Sequence, residues 1–335
     1  AAINAFTANL PRFLTAEATS LMHVGRAGWM SAQQMGEHLL HRARAAGAET
    51  LTPASLVAVH APDGAIGGAT LIGARGEEIE VRCGAIVNCA GPYAASVDLL
   101  MRRAASDRAT SLAGLPRESQ LHAAAVLRDT DGAVPDEAPM TIWQDDVQLE
   151  WSADEAAALR EEGGFEASLA EPLAAGAHFR PYPGRPHSLL MLWEALHSDL
   201  RPAEPPDETP ALRGALYAEL AVRGLSRMVP ALRDYLQDDG SMSAHISVDG
   251  GYYTKAPDNV PLVGPVVGAP AGSYVCAGLS GYGIMASNAA GELLAQHVAG
   301  DALPEAYAPA LHPERWHTAA YQSMVREGKV EKGVQ

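Results

Sequence analysis

Little of this 335-residue chain is basic: 24 lysines and arginines stand against 40 aspartates and glutamates, a formal net charge of -16. Nucleic-acid binders concentrate Lys and Arg on one face to neutralise phosphates, so no nucleic-acid partner is expected. Cysteine is scarce too. Cys83, Cys89 and Cys276 are an odd three, with no C-x-x-C spacing and no zinc framework. A reducing cytoplasm is the simple inference, and no metal site is expected. Long apolar runs are missing: none approaches the roughly 18 residues that a membrane helix needs. The opening AAINAFTANLPRF has neither the basic flank nor the apolar run of a signal peptide, and it lacks an initiator methionine. Internal repeats and low-complexity tracts are absent as well.

What remains is 47% hydrophobic and 19% charged, enough to bury a real core and to divide into about two domains. Ser31 and Gln34 form a capping-box pair, Met35, Leu39, Leu40 and Ala43 share one helical face, and Gly47 supplies a stop, which predicts a helix over 31–46. The runs SLVAVH, GATLIGA and EIEVRCGAIVNCAG are short, apolar and β-branched, and DGAIGG and RGE between them are turn chemistry. They predict strands leading into a buried strand that stops at Gly91-Pro92. From about 111 to 245 the texture changes. Strand-like TIWQDDVQLEW and SLLMLWEAL lie between helices at SADEAAALREE and PALRGALYAELAVRGLSRM, with RPAEPPDETP as a loop. A strand-rich second domain inserted into the first is the economical organisation.

The most informative local pattern is SYVCAGLSGYGIMASNAAGELLAQHVAG, from Ser273 to Gly300. A strand ends at Ala277, a turn carries Gly278, Gly281 and Gly283, and a helix follows over about 284–298 with Leu293, Leu294 and Val298 apolar. Small residues let a ligand approach the main chain, and the helix's first N–H groups then face it with unused donors and the positive end of the dipole. GYGIMA satisfies G-x-G-x-x-A, but that fingerprint opens a βαβ unit and no second strand follows before LPEAYAPALHPERW. The serine-hydrolase elbow fails because Gly278-Leu279-Ser280-Gly281-Tyr282 lacks the last glycine of G-x-S-x-G. A helix that merely ends against a strand remains the plain structural alternative. His38 and His41, one helical turn apart, suggest a solvated helix face rather than a metal site without a third ligand, and His312 and His317 read the same way.

Three separated segments, IVNCAGPYA (86–94), GGYYTKAPDNVPLVGP (250–265) and GLSGYGIMASNAAGELLA (278–295), supported by GRAGWMSAQQMGEHLL, together resemble a known family. It is the flavin-dependent amine and D-amino-acid oxidoreductases, the group of sarcosine oxidase, glycine oxidase and D-amino-acid oxidase. The resemblance implies a mixed α/β fold: an FAD/NAD(P)-binding-type domain with an inserted antiparallel-sheet substrate domain. It sets segment boundaries at 1–110, 111–245 for the substrate domain, 246–312 for the returning FAD segment, and 313–335 for a tail. It implies that the segment from Gly251 passes the flavin ring, with glycines making room for a flat ring. Ser280, Gly281, Tyr282, Gly283 and Ile284 then lie at the pyrimidine side, where a helix N-terminus stabilises the charge of reduced flavin, and Gly278, Leu279 and Met285 are further cofactor-binding residues. Val57 would meet the adenine through its backbone, and Ala90 and Gly91 would pass the ADP portion.

The same resemblance implies a defect. The family opens with a strand, G-x-G-x-x-G and helix, then an acidic residue for the ribose, and nothing before Gly25 can be that unit. The chain therefore reads as N-terminally truncated, and on its own it is expected to bind FAD weakly or not at all. The family removes a hydride equivalent from the carbon beside an amine nitrogen and leaves an imine that water hydrolyses; oxygen or another acceptor reoxidises the flavin. Sarcosine oxidases place a cysteine where Gly251 stands and a lysine where Met285 stands, which implies non-covalent FAD and a different substrate. No oxygen-activating lysine has a counterpart in SLLMLWEA, so oxidase and dehydrogenase both stay open. Arg180, Tyr182 and Tyr253 are the candidates for the face that receives a small amine or amino acid. A non-catalytic remnant or subunit, or an NAD-dependent dehydrogenase, are the alternatives.

Overall fold

A computed structural model describes residues 11–105, 118–128, 130, 132–197, 212–236 and 245–327. In chain order its principal elements are α1 (Ala32–Ala45), β1 (Ala54–His60), β2 (Gly68–Gly73), β3 (Glu78–Arg82), β4 (Ile86–Asn88), α2 (Ala94–Ala105), β5 (Glu118–Leu127) and β6 (Thr141–Ile142). There follow α3 (Ala153–Glu162), α4 (Gly164–Ser168), β7 (His178–Pro181), β8 (Leu189–Leu192), α5 (Ala215–Leu225) and β9 (Ile246–Lys255). The last group is β10 (Leu262–Pro265), β11 (Ser273–Ala277), α6 (Gly283–Ala299), α7 (Ala308–Leu311) and α8 (Ala319–Arg326). The mixed α/β composition and the antiparallel sheet expected for the inserted segment are both present. Two compact units divide these elements, with the divisions falling inside α1, β5 and β9.

The first unit holds residues 11–36, 121–197, 212–236 and 245–251. Its sheet has the order β6-β7-β8-β5-β9, with β6/β7, β7/β8 and β5/β8 antiparallel. Burial along β5 alternates residue by residue, the period-two signature of a strand with one covered face. That face meets α5, whose Tyr217, Leu220, Ala221, Val222 and Leu225 are buried among Phe179, Met191 and Trp193. Tyr217 reaches this interior without an orphaned hydroxyl, because it donates to the Ala123 carbonyl at 2.7 Å and accepts from Trp193 N–H at 3.1 Å. Residues 11–17 pack in this unit, where Phe13 lies edge-on to Phe179 and Thr15 N–H donates to the Met228 carbonyl. The expected helix at SADEAAALREE is α3, opened by a reciprocal capping box between Ser152 and Glu155. TIWQDDVQLEW contributes only β6 and an isolated bridge, Val147 to Leu173, and the proline-rich loop 201–210 lies outside the described residues.

The second unit holds residues 37–105, 118–120 and 252–327. One sheet is the meander β1-β2-β3, fully antiparallel, as the tight DGAIGG and RGE turns require. The other has the order β10-β11-β4, with β11 antiparallel to β10 and parallel to β4. Met101, Ala94, Leu262, Val266 and Val275 form one core and Val263, Ala290, Leu293 and Leu294 another. Val298, expected on the apolar face of α6, is exposed at 42%. Two further expectations are corrected. The strand ending at Asn88 is not buried on both sides: it is three residues long, stands at a sheet edge among the described residues, and leaves Val87 40% exposed. Helix α1 forms where predicted, with Ser31 Oγ accepting from Gln34 N–H, yet it buries none of its residues.

Candidate functional site

The turn between β11 and α6 is built by a close approach of two segments. The end of β9 meets it at one isolated antiparallel bridge, Lys255 opposite Leu279, and the Tyr253 ring lies against Gly281. A Cβ on Gly281 would stand 3.0 Å from the Tyr253 ring, and one on Gly278, whose φ is +70°, would stand 3.3 Å from Ala256 N. The resemblance assigns these glycines to clearance for a flat ring. At Gly281 that clearance is taken up by the protein's own tyrosine, whereas a Cβ on Gly251, in the first unit, meets nothing within 4 Å.

Ser280 also adopts a left-handed conformation, φ +54°, which turns its side chain inward. Its hydroxyl and that of Thr254 are buried, and neither has a hydrogen-bond partner among the described residues. Both hydroxyls are thus free to bond an added polar group. Immediately after them α6 begins. Tyr282 is its N-cap and contributes no side-chain cap bond, and the first turn contains no acidic residue. A short 3-10 turn, Ser280–Tyr282, leads into the helix, and no side chain competes for the N–H groups at its positive dipole end. Ile284 is half-buried and Met285 is 77% exposed.

The turn is held from behind by a cluster that is not visible in the sequence. The Arg315 guanidinium donates to Asp258 at 3.1 and 3.4 Å and to the carbonyls of Pro261 and Val260 at 3.1 and 2.7 Å. Tyr321 hydroxyl donates to the same Asp258 carboxylate, and Tyr282 hydroxyl donates to the Asn259 carbonyl. Burial, then the negative charge of Asp258, pushes the Tyr282 phenol above its ordinary range, so it stays a donor. Asp258 and Arg315 lie 57 residues apart, and only the folded tail brings them together.

The remaining expected residues fall as follows. Ala90 and Gly91 follow β4, with Ala90 N–H donating to Asn88 Oδ1 and Gly91 at φ +54°. Val57 is the extra residue of a β-bulge: Leu56 pairs with Leu71 and Ala58 with Thr70, leaving Val57 outside the register. Its backbone is the one part of β1 released from the ladder. In the first unit, Arg180 on β7 lies 5.0 Å over the Trp29 ring and donates to the Pro181 carbonyl. No carboxylate lies within ion-pair distance of it among the described residues. Burial lowers the Arg180 pKa, partly offset by Tyr182. Beside it an open cavity of about 390 Å³ is lined by Trp29, Asp136, Tyr182, Arg185 and three prolines. Trp29 was missed at the sequence level, although an aromatic beside glycines in GRAGWMS was a usable signal.

His38 and His41 are exposed, as a solvated face requires. His312 instead accepts from Glu314 N–H, with its ring 5.7 Å from His297. Among the described residues no group of three or more possible ligands could hold a metal, and no helix is long and apolar enough to cross a membrane.

The fold has solved counterparts. L-proline dehydrogenase from P. horikoshii is 18% identical, with a TM-score of 0.55 over 85% of this chain and 59% of that one. Glycine oxidase from Bacillus cereus is 13% identical, with a TM-score of 0.52 over 83% and 58%, and glycine oxidase from Geobacillus kaustophilus 16%, 0.51, 85% and 58%. The chain thus spans less than two thirds of the length of these proteins, and at such identities the likeness speaks for the fold. No curated protein matches the sequence at a significant level. The family model for FAD dependent oxidoreductases (DAO) matches residues 6–297, which is most of the chain, and this protein belongs to that family.

Proposed function

We propose that the chain serves an FAD-dependent oxidoreductase that oxidises the C–N bond of a small amine or amino acid. The observation that carries this reading is the β11–α6 turn: a helix N-terminus without a side-chain cap, preceded by Ser280, whose buried hydroxyl, like that of Thr254 on β9, has no hydrogen-bond partner among the described residues. These groups fit the electron-rich edge of a flavin, which the family matched over 6–297 uses. When bound, the cofactor supplies a two-electron acceptor. The protein's part is to hold that edge with the N–H groups around Gly283, Ile284 and Met285 and with the hydroxyl of Ser280. Gly278, Leu279, Gly281 and Tyr282 keep the turn in register against β9.

The bulged backbone at Val57 and the strand end at Ala90 and Gly91 are suited to the nucleotide portion. Gly251 carries no nucleophile, so the cofactor is held without a covalent bond there. In the first unit Arg180, a half-buried cation with no carboxylate neighbour among the described residues, and Tyr182 are assigned to the substrate; in the second, the Tyr253 ring is the candidate beside the turn. Orienting the substrate and keeping its nitrogen unprotonated is most of what such chemistry asks of side chains. Three free cysteines fit a reducing cytoplasm.

The test is anaerobic. Because weak FAD binding is expected of this chain alone, FAD is supplied in large excess, and the purified chain is mixed in turn with amines, L- and D-amino acids, and 2-hydroxy acids. Bleaching of the flavin's visible absorbance by a C–N substrate, with a carbonyl product in equal amount, is the expected result; oxygen uptake on admitting air then separates oxidase from dehydrogenase. Bleaching only by hydroxy acids, or NAD reduction without flavin, would overturn the assignment.

A further inference from the structure

The parallel pairing of β11 with β4 runs Ser273 to Ile86, Tyr274 to Val87 and Val275 to Asn88. The next residue on each strand is a cysteine, Cys276 and Cys89. Both thiols are free, and the register carried one residue further sets them opposite each other on neighbouring strands. Neighbouring strands lie about 4.7–4.9 Å apart, inside the Cα separation of about 4.4–6.8 Å that a disulfide spans. Cys89 is also the first residue beyond β4, with Gly91 in a left-handed turn two residues on, so its backbone can adjust to a cross-link without breaking the ladder. Cys89 is exposed and Cys276 half-buried.

The geometry points to Cys89 and Cys276 as a redox-active dithiol that a hydroperoxide closes to a disulfide. The Cys89 thiolate attacks the terminal peroxide oxygen: an S–O bond forms, the O–O bond breaks, and the alkoxide or hydroxide leaves on taking up a proton. Cys89 is thereby oxidised by two electrons to the sulfenic acid and the peroxide reduced to an alcohol or water. Cys276 sulfur then attacks Cys89 sulfur, S–S replaces S–O, and hydroxide leaves as water with the Cys276 proton. In sum, two thiols and one hydroperoxide give one disulfide, one alcohol or water, and one further water.

The division of roles follows from the electrostatics. Donation from Cys276 lowers the Cys89 thiol to about 7 against the opposing effect of burial, while the same bond, with burial, pushes Cys276 up. Attacking and resolving sulfurs are thus distinguished, and Cys83, for which there is no such pairing, is a control within the same molecule. This inference does not rest on the flavin reading.

The full chain is treated with equimolar hydrogen peroxide, alkylated, digested and read by mass spectrometry. A Cys89–Cys276 cross-linked peptide, reversed by dithiothreitol, is expected, with Cys89 consumed about tenfold faster than Cys83. In C276S the cross-link is lost and a sulfenic acid at Cys89 is trapped by dimedone. Equal reactivity of Cys83 and Cys89, or oxidation of Cys89 to sulfinic acid while Cys276 keeps its thiol, would overturn the assignment.

Discussion

Tyr253 and Gly281 make the turn before α6 by complementary shape, a ring against a missing side chain, and Gly278 adds a left-handed backbone beside Ala256. Both demands are local, so single substitutions should report them. Gly278→Ala combines an unfavourable φ with a 3.3 Å contact and should lower stability by about 1–2 kcal/mol. The expected signature is an earlier urea midpoint with an unchanged slope; an unchanged midpoint would mean that the turn relaxes freely. Tyr282→Phe removes the donor to the Asn259 carbonyl and should cost about 1 kcal/mol, read from the same midpoint. At this scale the sequence was informative. The glycines at 278, 281 and 283 were legible as a close-packed turn because only glycine tolerates those approaches. Their tyrosine neighbour was not, since the contact of Tyr253 with Gly281 is long-range.

Among elements, a buried ion pair ties the loop after β9 to the C-terminal tail. Asp258 and Arg315 have side chains 1% and 8% exposed, and each satisfies the other's charge. Removing one partner leaves a buried charge without compensation. Arg315→Ala should therefore cost about 3–5 kcal/mol, and the double variant Asp258→Ala/Arg315→Ala less than the sum of the singles. Thermal or denaturant unfolding of the four proteins forms the cycle, and strict additivity would show that the pair does not interact. Helix α3 was readable from SADE because its capping box lies within four residues. The helix α1 was readable for the same reason, but its lack of buried residues was not, because amphipathic spacing states which face could be covered and not whether anything covers it. The bulge at Val57 likewise depends on the register with β2, which no run of β-branched residues specifies.

For the whole molecule, pH dependence follows from three imidazoles. His178, His297 and His312 are all shifted below the ordinary 6.5, in each case chiefly by burial; nearby Arg180, His312 and Arg315 respectively add to the effect. Above 6.5 all three are neutral folded or unfolded, and they leave stability unchanged. Below it the unfolded chain binds protons that the folded one resists, so stability falls with falling pH down to the lowered folded values. The unfolding midpoint should drop between about pH 7 and about pH 5, and His297→Gln should reduce that drop. A midpoint that holds or rises over this interval would contradict the burial of these rings.

The sequence by itself determined the mixed α/β class, the strand, glycine turn and helix at 273–300, and, through three separated segments, the family. These are properties of neighbours in the chain, where side-chain size, backbone freedom and capping act over a few residues. Only the tertiary structure decided that residues 11–17 pack against the five-stranded sheet, that Asp258 is neutralised by Arg315, that Arg180 faces Trp29, and that Cys89 and Cys276 stand opposite each other at the end of the β11/β4 ladder. Each of those depends on which distant segments are packed together, and packing in a close-filled interior is set by the shape of the whole set of side chains rather than by any one stretch.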